Sequence, residues 1–216
     1  VYESHGLRWG GDWDGDGDSH DQSLYDPVHG EVSDWSARHL QLGGQADSAA
    51  SCEDVAWLRW WMGEANGTIV IDLFEETAPL HAAQITAIAA AGQYDGVVFH
   101  RVIDGFMAQT GDVQNGVMGG DLSRAGTGGS EFADIPAEFS DIPFERGVVG
   151  MARAQSPDSA NSQFFIMFEP GYFLNGQYTV VGEVTEGMEL VDQIKRGTGA
   201  SGAVIGKPDM MAAVRV

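Results

Sequence analysis

The fold of this chain is decided by one stretch, Phe99-His100-Arg101-Val102-Ile103-Asp104-Gly105-Phe106-Met107-Ala108-Gln109. It contains most of two apolar runs, 97–103 and 106–110, which Asp104 and Gly105 separate. Short runs rich in β-branched and aromatic residues and bounded by Gly or Asp are typical of β-strands. The stretch therefore predicts two strands.

The same pattern continues in both directions along the chain. The β-branched run Thr68–Phe74 predicts a buried strand, and further strands are predicted over 147–153, 163–168, 179–184 and 210–216. One helix is predicted from Pro79 through the alanine-rich segment 82–91, and a second over 189–195. Because strands and helices do not alternate, we expect a mainly β, antiparallel barrel or sandwich, with a long surface loop over 111–129.

Composition sets the broad class of protein. The chain has 216 residues, 43% of them hydrophobic, and a formal net charge of −21, which predicts one substantial core with an appendage. No apolar run approaches the roughly 18 residues that span a bilayer, so we expect no membrane partner. The acidic surface repels phosphate backbones and disfavours nucleic acid as a partner. The single cysteine, Cys52, excludes an internal disulfide and leaves the compartment open.

The first 63 residues differ from the rest. All six Trp residues lie there. Gly43–Ser51 is small and polar and predicts a linker, and Cys52–Met62 is apolar enough to predict a short helix, with Asp54 near its start. We therefore expect an irregular, acidic, Trp-rich segment over 1–63 and a globular domain over 64–216. Since the chain begins with Val1 and has no signal-peptide pattern, we expect a fragment or a processed product.

The stretch quoted first resembles the signature of the cyclophilin-type peptidyl-prolyl cis-trans isomerases, and further blocks follow in the order of that family. These blocks are 126–129, 147–154, 161–166 and 173–182. Several motifs in order are more specific than one short pattern, and the resemblance covers about 67–216. It implies a closed, antiparallel, eight-stranded barrel with two capping helices, acting on Pro-containing peptides or unfolded proteins.

Prolyl isomerisation breaks no covalent bond. The peptide bond rotates through a state without amide resonance, over a barrier of roughly 18–20 kcal/mol. A catalyst needs an apolar pocket for the ring, groups that hold the peptide, and a cation that favours the pyramidal nitrogen. The resemblance implies that Arg101, the cation, acts with Phe106 and Gln109 as the catalytic set. It implies substrate binding by Met107, Gly126, Ala152, Arg153, Ala154, Gln163, Phe165, Phe173, Leu174 and Tyr178. No metal or cofactor is required.

The residue types alone leave simpler interpretations open. Aromatic residues at strand positions are ordinarily core, and alternation sends Phe164 and Phe165 to opposite faces, so at most one of them lines a pocket. A lone Arg101 is ordinarily a surface ion-pair partner, and His100 a hydrogen-bonded structural histidine. The ordered motifs favour a catalytic role for Arg101 but not for His100.

Three positions depart from familiar eukaryotic members of the family. Phe173 stands for Trp, Tyr178 for His and Arg153 for Asn. The ring exchanges keep apolar walls, so activity should persist, whereas loss of the indole N–H should weaken binding of cyclosporin. Arg153 adds a second cation at the groove and favours acidic peptides. Phe173 and Tyr178 resemble bacterial-type members, so we expect the bacterial cytoplasm, with a virion as the alternative.

Residues 5–32 resemble the C-terminal end of bacterial and phage zinc peptidases, the D-Ala-D-Ala carboxypeptidases and L-alanyl-D-glutamate endopeptidases. The matching segments are Leu7–Trp13 and Asp26–Glu31, with Asp26 as the implied base and His29 as a zinc ligand. A catalytic zinc needs about three protein ligands, and the group's earlier ligands have no counterpart in this sequence. We therefore expect a remnant without zinc.

A run of acidic residues, Asp12–Asp18, imitates the start of a calcium loop. Ser23 occupies the position of the bidentate Glu in that motif, so we expect an acidic turn.

The leading expectation for the chain is prolyl isomerisation. The alternatives are a proline-peptide binding or assembly module without turnover, within a larger phage-related assembly, and a peptidase remnant fused to a cyclophilin domain.

Overall fold

The computed structural model describes residues 2–4, 7–9, 25–26, 30–31, 55–62 and 65–216, with side chains from residue 67 onward. The chain divides into a unit over Val1–Glu53 and a unit over Asp54–Val216. His29, the acidic run 12–18 and the predicted linker 43–51 lie outside the described residues.

The first unit contains two short antiparallel pairs. Strand β1 (Tyr2–Ser4) pairs with β2 (Leu7–Trp9), and β3 (Tyr25–Asp26) pairs with β4 (Gly30–Glu31). Asp26, the base implied by the peptidase resemblance, is thus the last residue of β3.

The second unit is built on one antiparallel sheet. Its strands are β5 (Val55–Met62), β6 (Ala65–Leu73), β7 (Arg101–Ile103), β8 (Met107–Thr110), β9 (Val148–Met151), β10 (Phe164–Met167), β11 (Val180–Glu186) and β12 (Met210–Arg215). They hydrogen bond in the order β12-β5-β6-β11-β9-β10-β8-β7. The prediction of a mainly β, antiparallel fold is confirmed.

The helix predicted over Cys52–Met62 is wrong, because the structure has strand β5 there. β5 lies between two partners, with Met62 opposite Ala65 of β6 and Trp57 opposite Arg215 of β12. Val and Trp are favoured in strands, and an interior strand pairs its backbone groups on both edges. The apolar character that suggested a helix therefore belongs to a strand inside the sheet.

Two α-helices accompany the sheet in the described part of the chain. Helix α1 (Pro79–Ala90) begins with proline in its first turn, as predicted, and buries Ile85 and Ile88. Helix α2 (Met188–Val191) is shorter than the predicted 189–195. Across the described residues, no helix has the length and apolar character needed to cross a bilayer.

The buried side chains form two clusters on opposite faces of β10. Phe164 and Ile166 belong to the larger cluster, which includes α1. Phe165 and Met167 belong to the smaller cluster, with Leu174. This is the alternation predicted for Phe164 and Phe165. The smaller cluster is the one that contains the residues expected to bind proline.

Candidate active site

A line of hydrogen-bonded polar side chains crosses the ends of β7, β8 and β10. Nη1 of Arg101 donates to Oε1 of Gln109 at 3.1 Å, and Nε2 of Gln109 donates to Oε1 of Gln163 at 3.0 Å. Nε2 of Gln163 donates in turn to the carbonyl of Gly128 at 2.7 Å. The structure thus brings together three of the predicted site residues and connects them to the loop that follows β8.

The guanidinium of Arg101 is held from two directions. Nε donates to the carbonyl of Ser201 at 3.0 Å. Nη1 lies 3.9 Å from Sδ of Met107, a buried member of the smaller cluster. The cation is therefore half-buried and fixed at the edge of an apolar cluster. Sequence reasoning missed Ser201, because its carbonyl contributes and no side-chain signal marks it.

Aromatic side chains border the same cluster. The rings of Phe106 and Phe173 are 5.4 Å apart between centroids, and Phe173 is 67% exposed. Leu174 and Phe165 are buried, whereas Tyr178 is half-buried, with its ring nearly perpendicular to that of Phe165 at 5.9 Å between centroids. These residues make an apolar surface that is open on the side of Phe173.

Asp112 organises the long loop from inside the protein. Its side chain is fully buried, with Oδ1 accepting from the amides of Gln114 and Asn115 and Oδ2 from the amides of Gly126 and Gly128. The carboxylate therefore joins the two ends of the segment expected to be surface loop. A general signal existed in the sequence, since Asp side chains in turns often accept from the backbone amide two residues on.

His100 lies beneath Gly126. A Cβ at Gly126 would come within 2.8 Å of Cδ2 of His100, and Gly126 has a φ of +91°, so both space and backbone require glycine. Among the described residues neither ring nitrogen of His100 meets a hydrogen-bond partner, which differs from the expected hydrogen-bonded histidine. Burial lowers the pKa of His100, against the opposing charge of Asp112.

Arg153, expected as a second cation at the groove, contacts an aromatic ring and several backbone carbonyls. Its guanidinium lies 4.5 Å from the centroid of the Tyr178 ring and donates to the backbone carbonyls of Ala154, Gln155 and Gln177. Beside it, the amide of Ala152 donates to the carbonyl of Gln163 at 2.9 Å. The segment 152–154 is thus connected both to β10 and to the turn that carries Tyr178.

Within the part of the chain that the structure describes, no group of three or more His, Cys, Asp or Glu side chains is arranged to hold a metal ion.

Comparison with known proteins gives consistent matches. The family model of the cyclophilin-type peptidyl-prolyl cis-trans isomerases matches residues 61–216. A probable peptidyl-prolyl cis-trans isomerase of Brucella suis is 54% identical over 173 residues, covering 79% of this chain and 86% of that protein. Peptidyl-prolyl cis-trans isomerase B of Bacillus subtilis is 38% identical over 140 residues, covering 64% of this chain and 90% of that protein.

Solved structures agree on the fold. A cyclophilin from Hirschia baltica has a TM-score of 0.61 at 24% identity, covering 75% of this chain and 73% of that chain. A Cryptosporidium parvum cyclophilin-type isomerase, crystallised in the presence of the dipeptide Ala-Pro, has a TM-score of 0.62 at 23% identity, covering 75% of this chain and 98% of that chain. With a family model that spans most of its length and relatives that share its sequence, the chain belongs to the cyclophilin-type peptidyl-prolyl cis-trans isomerases.

Proposed function

We propose that this isomerase rotates X-Pro bonds in the groove beside β8 and β10, with Arg101 as its catalytic cation. The observation that carries the proposal is the position of the Arg101 guanidinium. It is fixed by Ser201 and Gln109 and lies 3.9 Å from the sulfur of Met107. A cation held at the edge of an apolar cluster is what a rotating prolyl bond requires, because the ring is apolar and its nitrogen gains a lone pair.

The proline ring would lie on the apolar surface made by Met107, Phe165 and Leu174, with Phe106 and Phe173 at its open side. Loss of amide resonance makes the prolyl nitrogen more basic in the transition state than in either ground state. The guanidinium then stabilises the transition state selectively, which raises kcat rather than only the affinity. The backbone of 152–154 and the side chains of Gln109 and Gln163 would hold the flanking peptide.

We infer short X-Pro segments of peptides or unfolded proteins as the substrates. A related isomerase crystallised with Ala-Pro supports a dipeptide unit as the minimal ligand.

We also propose that the sheet closes into the expected eight-stranded barrel. The support is a set of bonds between the segment before β7 and the strand β12, which stand at opposite ends of the strand order. The amide of Phe99 donates to the carbonyl of Asp209 at 2.9 Å, and the amide of Met211 donates to the carbonyl of Val97 at 2.8 Å. Closure would leave no unpaired sheet edge.

The peptidase resemblance and a role in a phage-related assembly remain proposals for residues 1–63. We infer that isomerisation does not depend on residues 1–53, because every residue of the proposed groove lies in the unit Asp54–Val216.

The test measures the rate of cis–trans exchange in a Pro-containing tetrapeptide, by NMR line shape or by a protease-coupled assay. The full chain should accelerate exchange, and Arg101→Ala should lower kcat/KM by roughly 100- to 1000-fold, as removal of one transition-state donor does. Arg215→Lys is the control, since Arg215, on β12, pairs with Asp95 and is not part of the proposed groove. If the wild-type rate equals that of buffer, the proposal fails and a peptide-binding module remains.

A further inference from the structure

We propose that Arg153 is a positioning residue that ties the segment 152–155 to the turn 172–178 and thereby fixes Tyr178 against the proline pocket. It is not a cation that reads the charge of the peptide. The inference rests on the groove proposed above as the site of isomerisation.

The hydrogen bonds of Arg153 all go to backbone carbonyls. Nε and Nη2 both donate to the carbonyl of Gln177 at 3.1 Å. Nη1 donates to the carbonyls of Ala154 and Gln155 at 3.0 and 3.2 Å. None of the ion pairs within 67–216 includes Arg153. The guanidinium therefore bridges two loops that are not adjacent in sequence.

These bonds leave little of the guanidinium for a substrate. A guanidinium has about five N–H donors, and four hydrogen bonds to carbonyls already occupy most of them. A carboxylate would have to displace one of these bonds to gain the paired geometry that arginine favours. Its formal charge persists at the surface, but exposed ion pairs contribute little to binding.

Arg153 acts on the pocket through the ring of Tyr178. One face of its ring carries the guanidinium at 4.5 Å, and its ring meets Phe165 at 84°. Phe165 is in turn stacked on Phe144 at 5.7 Å, and a Cβ at Gly150 would lie 2.6 Å from Phe165. With Phe165 backed by strand β9, the Tyr178 ring is confined between a rigid aromatic pair and the guanidinium.

Lysine cannot replace this arrangement. Its ammonium carries the same charge, but it lacks the planar fork that reaches carbonyls on two loops while covering a ring. Arg153→Lys therefore separates recognition of peptide charge from the bridging role, because it keeps the positive charge and removes the hydrogen bonds between the two loops.

The experiment measures kcat/KM for matched peptides with Glu or Lys before proline, at low and high salt, in the full chain. Arg153→Lys should lower kcat/KM about ten-fold for both peptides alike, independently of salt. Amide hydrogen exchange should become faster at Gln177 and Tyr178, while thermal unfolding shows that the fold persists. Arg215→Lys should change neither activity nor exchange in the turn.

A double-mutant cycle tests whether Arg153 acts through Tyr178. Tyr178→Ala should lower kcat/KM by itself, and adding Arg153→Lys should then cost little more, since the ring that it positions is gone. Full additivity would overturn the proposal. It would also fail if Arg153→Lys kept the wild-type rate, or if only Glu peptides lost activity in Arg153→Gln and salt erased that loss. Arg101→Ala distinguishes failure of the groove itself, because it tests catalysis without touching this bridge.

Discussion

Arg101 and Gln109 stand directly opposite each other on β7 and β8, and their side chains meet at 3.1 Å between Nη1 and Oε1. A cross-strand pair in a hydrogen-bonded sheet has a fixed backbone separation. The amide oxygen of Gln109 therefore orients a guanidinium that Ser201 already anchors at Nε. These two hydrogen bonds hold the proposed catalytic cation in place before a peptide binds.

Loss of this pairing should reduce catalysis. Gln109→Leu removes the oxygen that orients Arg101 and the donor to Gln163, and hydrogen bonds to charged groups contribute about 1.5–3 kcal/mol. We expect kcat/KM to fall roughly 10- to 100-fold, with thermal stability nearly unchanged. Gln193→Leu, an exposed residue after α2, serves as the control. A Gln109 variant as active as the wild type would show that Ser201 alone orients the cation.

The loop after β8 should depend on the charge of Asp112. Asp112→Asn replaces one carboxylate oxygen by an NH₂ donor. That donor then faces either the amides of Gly126 and Gly128 or those of Gln114 and Asn115, which lose their acceptor. Each buried group left unpaired costs about 1–3 kcal/mol, so we expect a loss of roughly 3 kcal/mol in the free energy of unfolding, measured by urea titration. Asp121→Asn, exposed and bonded only to Ser123, should change it little.

A pH dependence of stability should come from His100. Burial lowers the pKa of His100 below its ordinary value of 6.5, with the charge of Arg101 acting in the same direction and that of Asp112 against it. Below pH 6.5 the unfolded chain then binds a proton that the folded chain does not, so stability decreases as the pH falls. His100→Gln should flatten this decrease. Urea unfolding of both proteins at pH 7.5 and 5.5 measures it, and parallel curves would contradict the prediction.

Glu138 should stabilise the folded chain at neutral pH and lose this contribution only at a pH below its ordinary pKa of 4.5. It accepts from Nδ1 of buried His81 at 2.6 Å and from the amides of Leu80 and His81 in the first turn of α1. Burial acts to raise the pKa of Glu138, but these hydrogen bonds outweigh it and lower the pKa below its ordinary 4.5. The stabilisation is therefore present above 4.5 and is lost as the pH falls through the lowered value.

Glu138→Gln isolates this contribution. At pH 7 the variant should lose about 1–3 kcal/mol of stability, and the difference from the wild type should shrink in acid. Thermal unfolding from pH 7 to pH 3 measures the difference. A gap that stays constant over this range would mean that the carboxylate charge of Glu138 does not stabilise the helix.

The N-terminal residues should be dispensable for isomerisation. A chain lacking residues 1–35 keeps every strand of the sheet, since β5 begins at Val55, so its kcat/KM should equal that of the full chain. Metal analysis of the full chain should find no stoichiometric zinc, because the implied set offers His29 without the other ligands that zinc needs. Zinc that disappears in His29→Ala would contradict this.

The sequence by itself determined the features that depend on local composition. The runs around Val102, Ile166 and Val181 became strands because β-branched and aromatic residues fit a pleated, half-buried surface. Helix α1 begins where Pro79 allows it, and alternation separated Phe164 from Phe165. The resemblance that implies roles for Arg101 and Gln109 could be found in the sequence because its motif is contiguous.

Only the tertiary structure decided the features that depend on distant partners. Segment 55–62 is apolar enough for a helix or a strand, and pairing with β12, at the far end of the chain, made it a strand. Asp112 looked like a loop residue, yet burial turned it into the acceptor of four amides. Arg153 was expected as a second cation at the groove, and only the structure shows that it donates to the carbonyl of Gln177. Charge and hydrophobicity are properties of a single residue. The partner that each residue contacts depends on distant parts of the chain, so it could not be predicted from local sequence.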